Sequence, residues 1–210
     1  MEEFDSADLR AQAAKSYDPA VLRDALDRIL KWHEQHKTPV ASVLRKGLTK
    51  EEIHKATEWL GFSLPDEVVT LYEWRNGMKA GTDAPFIWYH DFMSLEAIRD
   101  EYRKLTVTWP FYDWSNNWLP LFQFEGEYYF VACTKEPSPA LPVRFHMSEE
   151  TEHPAVYTSL TSMMLTAAEC FESGAVTLAN KDGALKEDIR KIAEIHRKHN
   201  PGLPFNYAVP

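Results

Sequence analysis

His33 with His36, and His196 with His199, stand three residues apart on segments of helical pattern, the spacing at which two side chains share one helix face. Two imidazoles so placed can hold a metal ion. Neither pair has the nearby carboxylate arrangement such a site uses, and both read as solvated helix faces. A covalent mechanism needs a nucleophile beside a base. Cys133 falls in a β-prone run and Cys170 on the apolar stripe of a helix, so both read as buried, inert thiols. Glu125 and Glu127 flank a turn, which accounts for their polarity without acid–base work. No G-x-S-x-G or H-E-x-x-H motif occurs, nor a phosphate-cradling glycine loop, and the chain holds only eight glycines. The residues therefore predict no catalytic set, no metal site, no cofactor and no enzymatic turnover.

Two clusters have the composition of a binding surface instead. The stretch Leu64–Gly77, LPDEVVTLYEWRNG, crowds Trp74, Arg75 and Asn76 into a helix exit. Arg75 can pair with Glu73, cap nearby carbonyls, or line a concave site beside Asn76. The second cluster is the loop from Trp109 to Trp118, with Phe111, Tyr112 and Trp114 between them. These rings form either a lid folded over a sheet or a recognition surface, since Trp and Tyr are enriched at binding hot spots. The candidate binding residues are Trp74, Arg75, Asn76, Trp109, Tyr112 and Trp114. Trp114 is the best single anchor because it lies mid-loop between Asp113 and Ser115.

The elements that would position these residues follow from periodicity. Residues 1–16 are weakly periodic, either frayed or a short helix. Asp18 caps a helix opened by Pro19, with Val21, Leu22, Ala25, Leu26, Ile29 and Leu30 on one stripe and an end near His36. Thr49 and Glu52 form a capping box for a second helix that reaches Gly61. Ser63 caps a third, in which Asp66 and Glu67 complement the helix dipole and Asn76-Gly77 supplies the C-cap, with Gly77 at positive φ. Phe86–Tyr89 is β-prone, and Ser94 caps a helix through Leu95, Ile98 and Tyr102. Trp118–Phe124 and Glu127–Cys133 form a hairpin about Glu125-Gly126, followed by strands at Pro142–Met147 and, on an edge, Ala155–Thr158. Ser159 opens a helix ending near Gly174, and a last amphipathic helix spans about Ala184–Lys198. Helices, a meander, then helices describe an α+β fold with a central, mostly antiparallel sheet.

The 210 residues suffice to bury roughly 70% of the unfolded surface without disulfide or metal staples. Only two cysteines and an acidic N-terminus without an apolar core point to the cytoplasm rather than secretion. No apolar run approaches the ~20 residues of a membrane span. The net charge of −9 falls entirely within residues 51–150, because the two ends cancel. An acidic body argues against nucleic acid and permits a basic protein partner.

The order of motifs resembles the SUKH superfamily, which includes the yeast cell-wall-assembly regulators (Smi/Knr-like) and many bacterial toxin-immunity proteins. The matching features are Leu64-Pro65 before a helix, Asn76-Gly77 after it, Trp118-x-Pro120 opening a hairpin, Gly126 at its turn and Phe171 on the closing helix. Ala132-Cys133-Thr134 stands where the family often has an Asp. The resemblance implies a single domain with a core at 49–174, a helical extension at 1–48 and a C-terminal helix and tail at 175–210. It also implies an intracellular, non-catalytic binding protein, either an immunity protein covering a cognate toxin or a regulatory scaffold or small-ligand sensor; the third and least favoured alternative is an enzyme with no recognised motif. The sequence leaves the oligomeric state open.

Overall fold

The computed structural model describes residues 7–81, 85–108, 114–147, 150–179, 184–203 and 205. The chain begins with α1 (Ala7–Ser16) and α2 (Pro19–Gln35). Asp18 caps α2 as its type predicts, its carboxylate accepting from the Ala20 N–H at 2.8 Å. A short helix α3 (Val40–Val43) leads into β1 (Leu44–Lys46), and α4 (Lys50–Thr57) opens on the reciprocal Thr49–Glu52 capping box. Then come α5 (Asp66–Trp74), β2 (Arg75–Met78), β3 (Asp91–Phe92) and α6 (Leu95–Arg103), which runs on into a π-helical turn at Lys104–Thr108. The hairpin β4 (Trp118–Phe124) and β5 (Glu127–Ala132) is followed by β6 (Val143–His146), β7 (Ala155–Tyr157) and α7 (Leu160–Glu172). A second hairpin, β8 (Val176–Leu178) with β9 (Leu185–Glu187), precedes α8 (Ile189–His199).

Strands β3 to β7 form one antiparallel sheet in sequence order, with β3 and β7 at its edges. The fold is α+β, as the pattern predicts. Glu125 (φ 45°) and Gly126 (φ 92°) make the two-residue turn that matches strand twist. Pro120, which has no N–H to donate, sits where the β4–β5 register shifts. Alternation along β5 divides the core. Tyr129 and Val131 face the main cluster, which extends from Leu22 on α2 to Ile195 on α8, while Tyr128 and Phe130 face a second cluster with Leu105 and Trp114. Phe171 closes the main cluster, its ring stacked on Trp32 of α2 at 4.4 Å.

Several expected elements differ, each for an identifiable reason. Helix α4 stops at Thr57 and Gly61 is not left-handed, because side chains satisfy the last carbonyls instead. Thr57 Oγ1 donates to Ile53 O at 2.8 Å and Trp59 Nε1 to Ala56 O at 2.8 Å. Ser63 does not cap α5. Its hydroxyl donates to Lys135 O, and the first N–H groups of α5 donate to carbonyls of a distant loop, Asp66 to Ser138 and Glu67 to Pro139. Asn76-Gly77 is not a helix C-cap. The helix ends at Trp74, Arg75 is already extended, and residues 75–78 pair with β1. Gly77 does have positive φ (66°), but as part of a strand. Phe86–Tyr89 forms a tight turn closed by an Ile87–His90 bridge, with Trp88 at φ 52°, and the strand follows it. The last helix starts at Ile189, since Leu185–Glu187 is drawn into pairing with β8.

Candidate functional site

A surface concavity of about 660 Å³ lies between β2, the edge strand β3 and α6. Met78, Phe92, Met93 and Ala97 give it apolar lining, and Arg45, Glu96, Asp100 and Lys104 give it a charged margin. Asn76 and Gly77 of β2 set the junction beside it. A Cβ on Gly77 would stand 2.3 Å from the Ser94 nitrogen and 2.5 Å from the Met93 carbonyl carbon, so only glycine lets β2 approach the start of α6. Asn76 is 1% exposed and serves both sides of this junction. Its Oδ1 accepts from the Leu95 N–H at 3.0 Å, and its Nδ2 donates to Glu96 Oε2 at 3.2 Å.

Glu96 in turn receives the Arg45 guanidinium fork, at 2.7 and 2.9 Å. That fork, helped by Asn76, holds the Glu96 carboxyl down at about 2, so it is ionised across the physiological range. Farther along α6, Glu101 accepts from the Tyr128 hydroxyl and from Lys104, each at 2.7 Å. The groove thus carries two ion pairs, Arg45–Glu96 and Lys104–Glu101, beside an apolar strip.

The other predicted binding residues do not converge on it. Trp74 is 5% exposed, and its Nε1 donates to Asp27 on α2 at 2.8 Å. Arg75 lies over the Trp74 ring, 5.1 Å from its centroid, and donates to Trp74 O at 2.7 Å, which realises the carbonyl-capping alternative. Trp114 corrects the expectation of an exposed mid-loop anchor. Its ring is 7% exposed, packed against Trp118, Tyr128 and Phe130 at 5.2–5.5 Å, and its Nε1 donates to Trp118 O. The outward-facing Tyr128 and Phe130 need cover, and Trp114 supplies it. Trp109 and Tyr112 lie outside the described residues.

The histidine pairs also need correction, since only one ring of each lies toward the surface. His33 is 1% exposed, donating from Nε2 to Phe86 O at 2.9 Å and accepting from Thr38 at Nδ1. Burial depresses it to about 4, so it remains neutral. His196 is buried against Val156 O, while His199 bonds Glu169 at 2.7 Å. The cysteines behave as expected: both are buried free thiols, and desolvation pushes each far up, away from the reactive thiolate.

Sequence reasoning missed the role of Glu67, which it read only as complementing the dipole in the first turn of α5. The side chain is fully buried. Its Oε1 accepts from the Leu141 N–H and its Oε2 from the Thr161 N–H, both at 3.1 Å, so it binds the 138–141 loop and the start of α7 to α5. It also missed Gly47, whose Cβ would lie 1.9 Å from Glu73 O.

Among known proteins, the model of the SMI1 / KNR4 family (SUKH-1) matches residues 47–165. The match takes in Gly47, Glu67, Asn76, Gly77, Glu96 and the whole five-stranded sheet. No curated protein matches the chain.

Proposed function

Because the chain belongs to the SMI1 / KNR4 family (SUKH-1), we propose that it is a non-catalytic, intracellular binding protein that neutralises a toxin by covering it, with the β2–β3–α6 groove as the contact surface. The observation that carries this reading is that the signature residues Asn76 and Gly77 hold the start of α6 against β2, the two elements between which the groove lies. A groove formed before docking lowers the cost of binding. A second reading, a small-ligand sensor, is favoured by the groove volume, which falls in the range of ligand pockets.

The test is co-expression with the product of the neighbouring reading frame, followed by titration with purified proteins. Protection that saturates at one equivalent supports occlusion, and substoichiometric, time-dependent inactivation means turnover. Ala97→Arg, which fills the groove, should abolish protection with little change in melting temperature. Val21→Arg, at an exposed position on α2, should not. Full protection by Ala97→Arg would remove the groove from the argument.

A further inference from the structure

Glu187 closes the β8–β9 hairpin opposite Val176. Its neighbours Lys186 and Asp188 are exposed, and strand alternation turns Glu187 the other way, toward the interior. Both of its carboxylate oxygens are buried and accept no hydrogen bond from the described residues. Among those residues, the titratable groups around it come from four elements: Tyr89 of the 86–90 turn, Tyr129 of β5, Tyr157 of β7 and Cys170 of α7. All four are neutral at physiological pH, and the Tyr129 and Tyr157 hydroxyls engage each other. His90, whose ring lies 4.6 Å from that of Tyr129, is held neutral by burial. On its own hairpin, Lys186 is turned to solvent, and Asp188 caps α8 by accepting from the Lys191 N–H at 3.3 Å.

Among the described residues such a carboxylate has neither a counter-charge nor a donor, and its desolvation is uncompensated. Protonated, it is a neutral group on a hairpin held to the body by the buried side chains of Val176 and Leu185. We infer that the β8–β9 hairpin is a proton-operated latch: it lies closed on the tyrosine-lined face while Glu187 is protonated, and ionisation of Glu187 releases it. Burial raises the closed-state carboxyl to about 7, against an ordinary 4.5. A raised acid stabilises the closed form fully below its ordinary value and loses that contribution as pH rises through about 7.

The experiment is amide hydrogen exchange from pH 5 to 8.5, corrected for intrinsic rates. Protection of residues 176–178 and 185–187 should fall by up to about tenfold per pH unit to near 7 and then level, with the α2 amides unaffected. Glu187→Gln should remove that dependence and keep the hairpin protected at pH 8. Flat wild-type protection, or an unchanged slope in Glu187→Gln, overturns the latch. Should the Gln variant fail to fold, the Glu187 carboxyl titrated by NMR in the wild type decides: a midpoint near 7 supports the latch and one near 4.5 ends it.

Discussion

Replacing Glu67 tests whether the α5 signature acts as a structural junction. Glu67→Ala strands two buried donors, the N–H groups of Leu141 and Thr161, and opens a cavity in a site that is 0% exposed. Each unpaired buried donor costs about 1–3 kcal/mol. With the cavity added, the loss comes to about 3–5 kcal/mol, a large part of the 5–15 kcal/mol typical of a domain. Glu67→Gln keeps the shape but presents an NH₂ group to one of the two N–H donors, and should cost about 1–3 kcal/mol.

The pH dependence is more discriminating. Burial raises the Glu67 carboxyl to about 7 although its N–H donors pull it down. The folded value is raised, so the folded state takes up a proton. Stability is highest below about 4.5, falls as pH climbs through about 7, and levels above that, by on the order of 3 kcal/mol in all. Glutamine cannot titrate. The gap between wild type and Glu67→Gln, measured by urea unfolding at several pH values, should therefore narrow from pH 5 to pH 8, with every other titrating group cancelling in the difference. Parallel pH profiles, or a Glu67→Ala cost below about 1 kcal/mol, would refute the reasoning.

Two further substitutions follow from the same structure. Gly77→Ala places a methyl group against the backbone of Met93 and Ser94, atoms that cannot rotate away, at a φ of 66°. It should cost at least about 3 kcal/mol, and an unchanged melting temperature would show that β2 does not need this close approach. Trp114→Ala uncovers Tyr128 and Phe130 and should cost about 3 kcal/mol by thermal melting, whereas loss of partner affinity at unchanged stability would identify the ring as an anchor after all.

Much of the local chemistry was legible. Asp18, the Thr49–Glu52 box, Ser94 and Ser159 cap the helices their spacing indicated, and Glu125-Gly126 makes the hairpin turn. The end of α4 and the 86–90 turn were misread although their partners are local. The remaining errors come from a partner remote in sequence. α5 is capped by carbonyls of Ser138 and Pro139 in place of Ser63. Residues 75–78 become a strand because β1 waits about 30 residues upstream, and Leu185–Glu187 leave their helix pattern for β8. Trp114 looked like an exposed anchor because nothing in its own loop reveals that β5 carries aromatic rings on both faces. The groove itself was half legible: Asn76 and Gly77 were marked, but Glu96 and Arg45, which complete it, lie 20 and 31 residues from Asn76 and carry no motif.

The stretch Leu64–Gly77 has a cluster at its end because nearly every side chain there reaches a different element. Glu67 holds the 138–141 loop and α7, Tyr72 donates to Met93 O, Trp74 holds α2, and Asn76 holds α6. A segment with so many remote partners cannot change without unfastening the domain, so its residues are poor places to encode a partner's identity. The groove margin is different. Asp100 is exposed on α6, and exposed charges contribute little to stability. They can therefore be exchanged at low cost to the fold. If partner choice resides there, Asp100→Lys should leave the melting temperature nearly unaltered while changing which partner is bound.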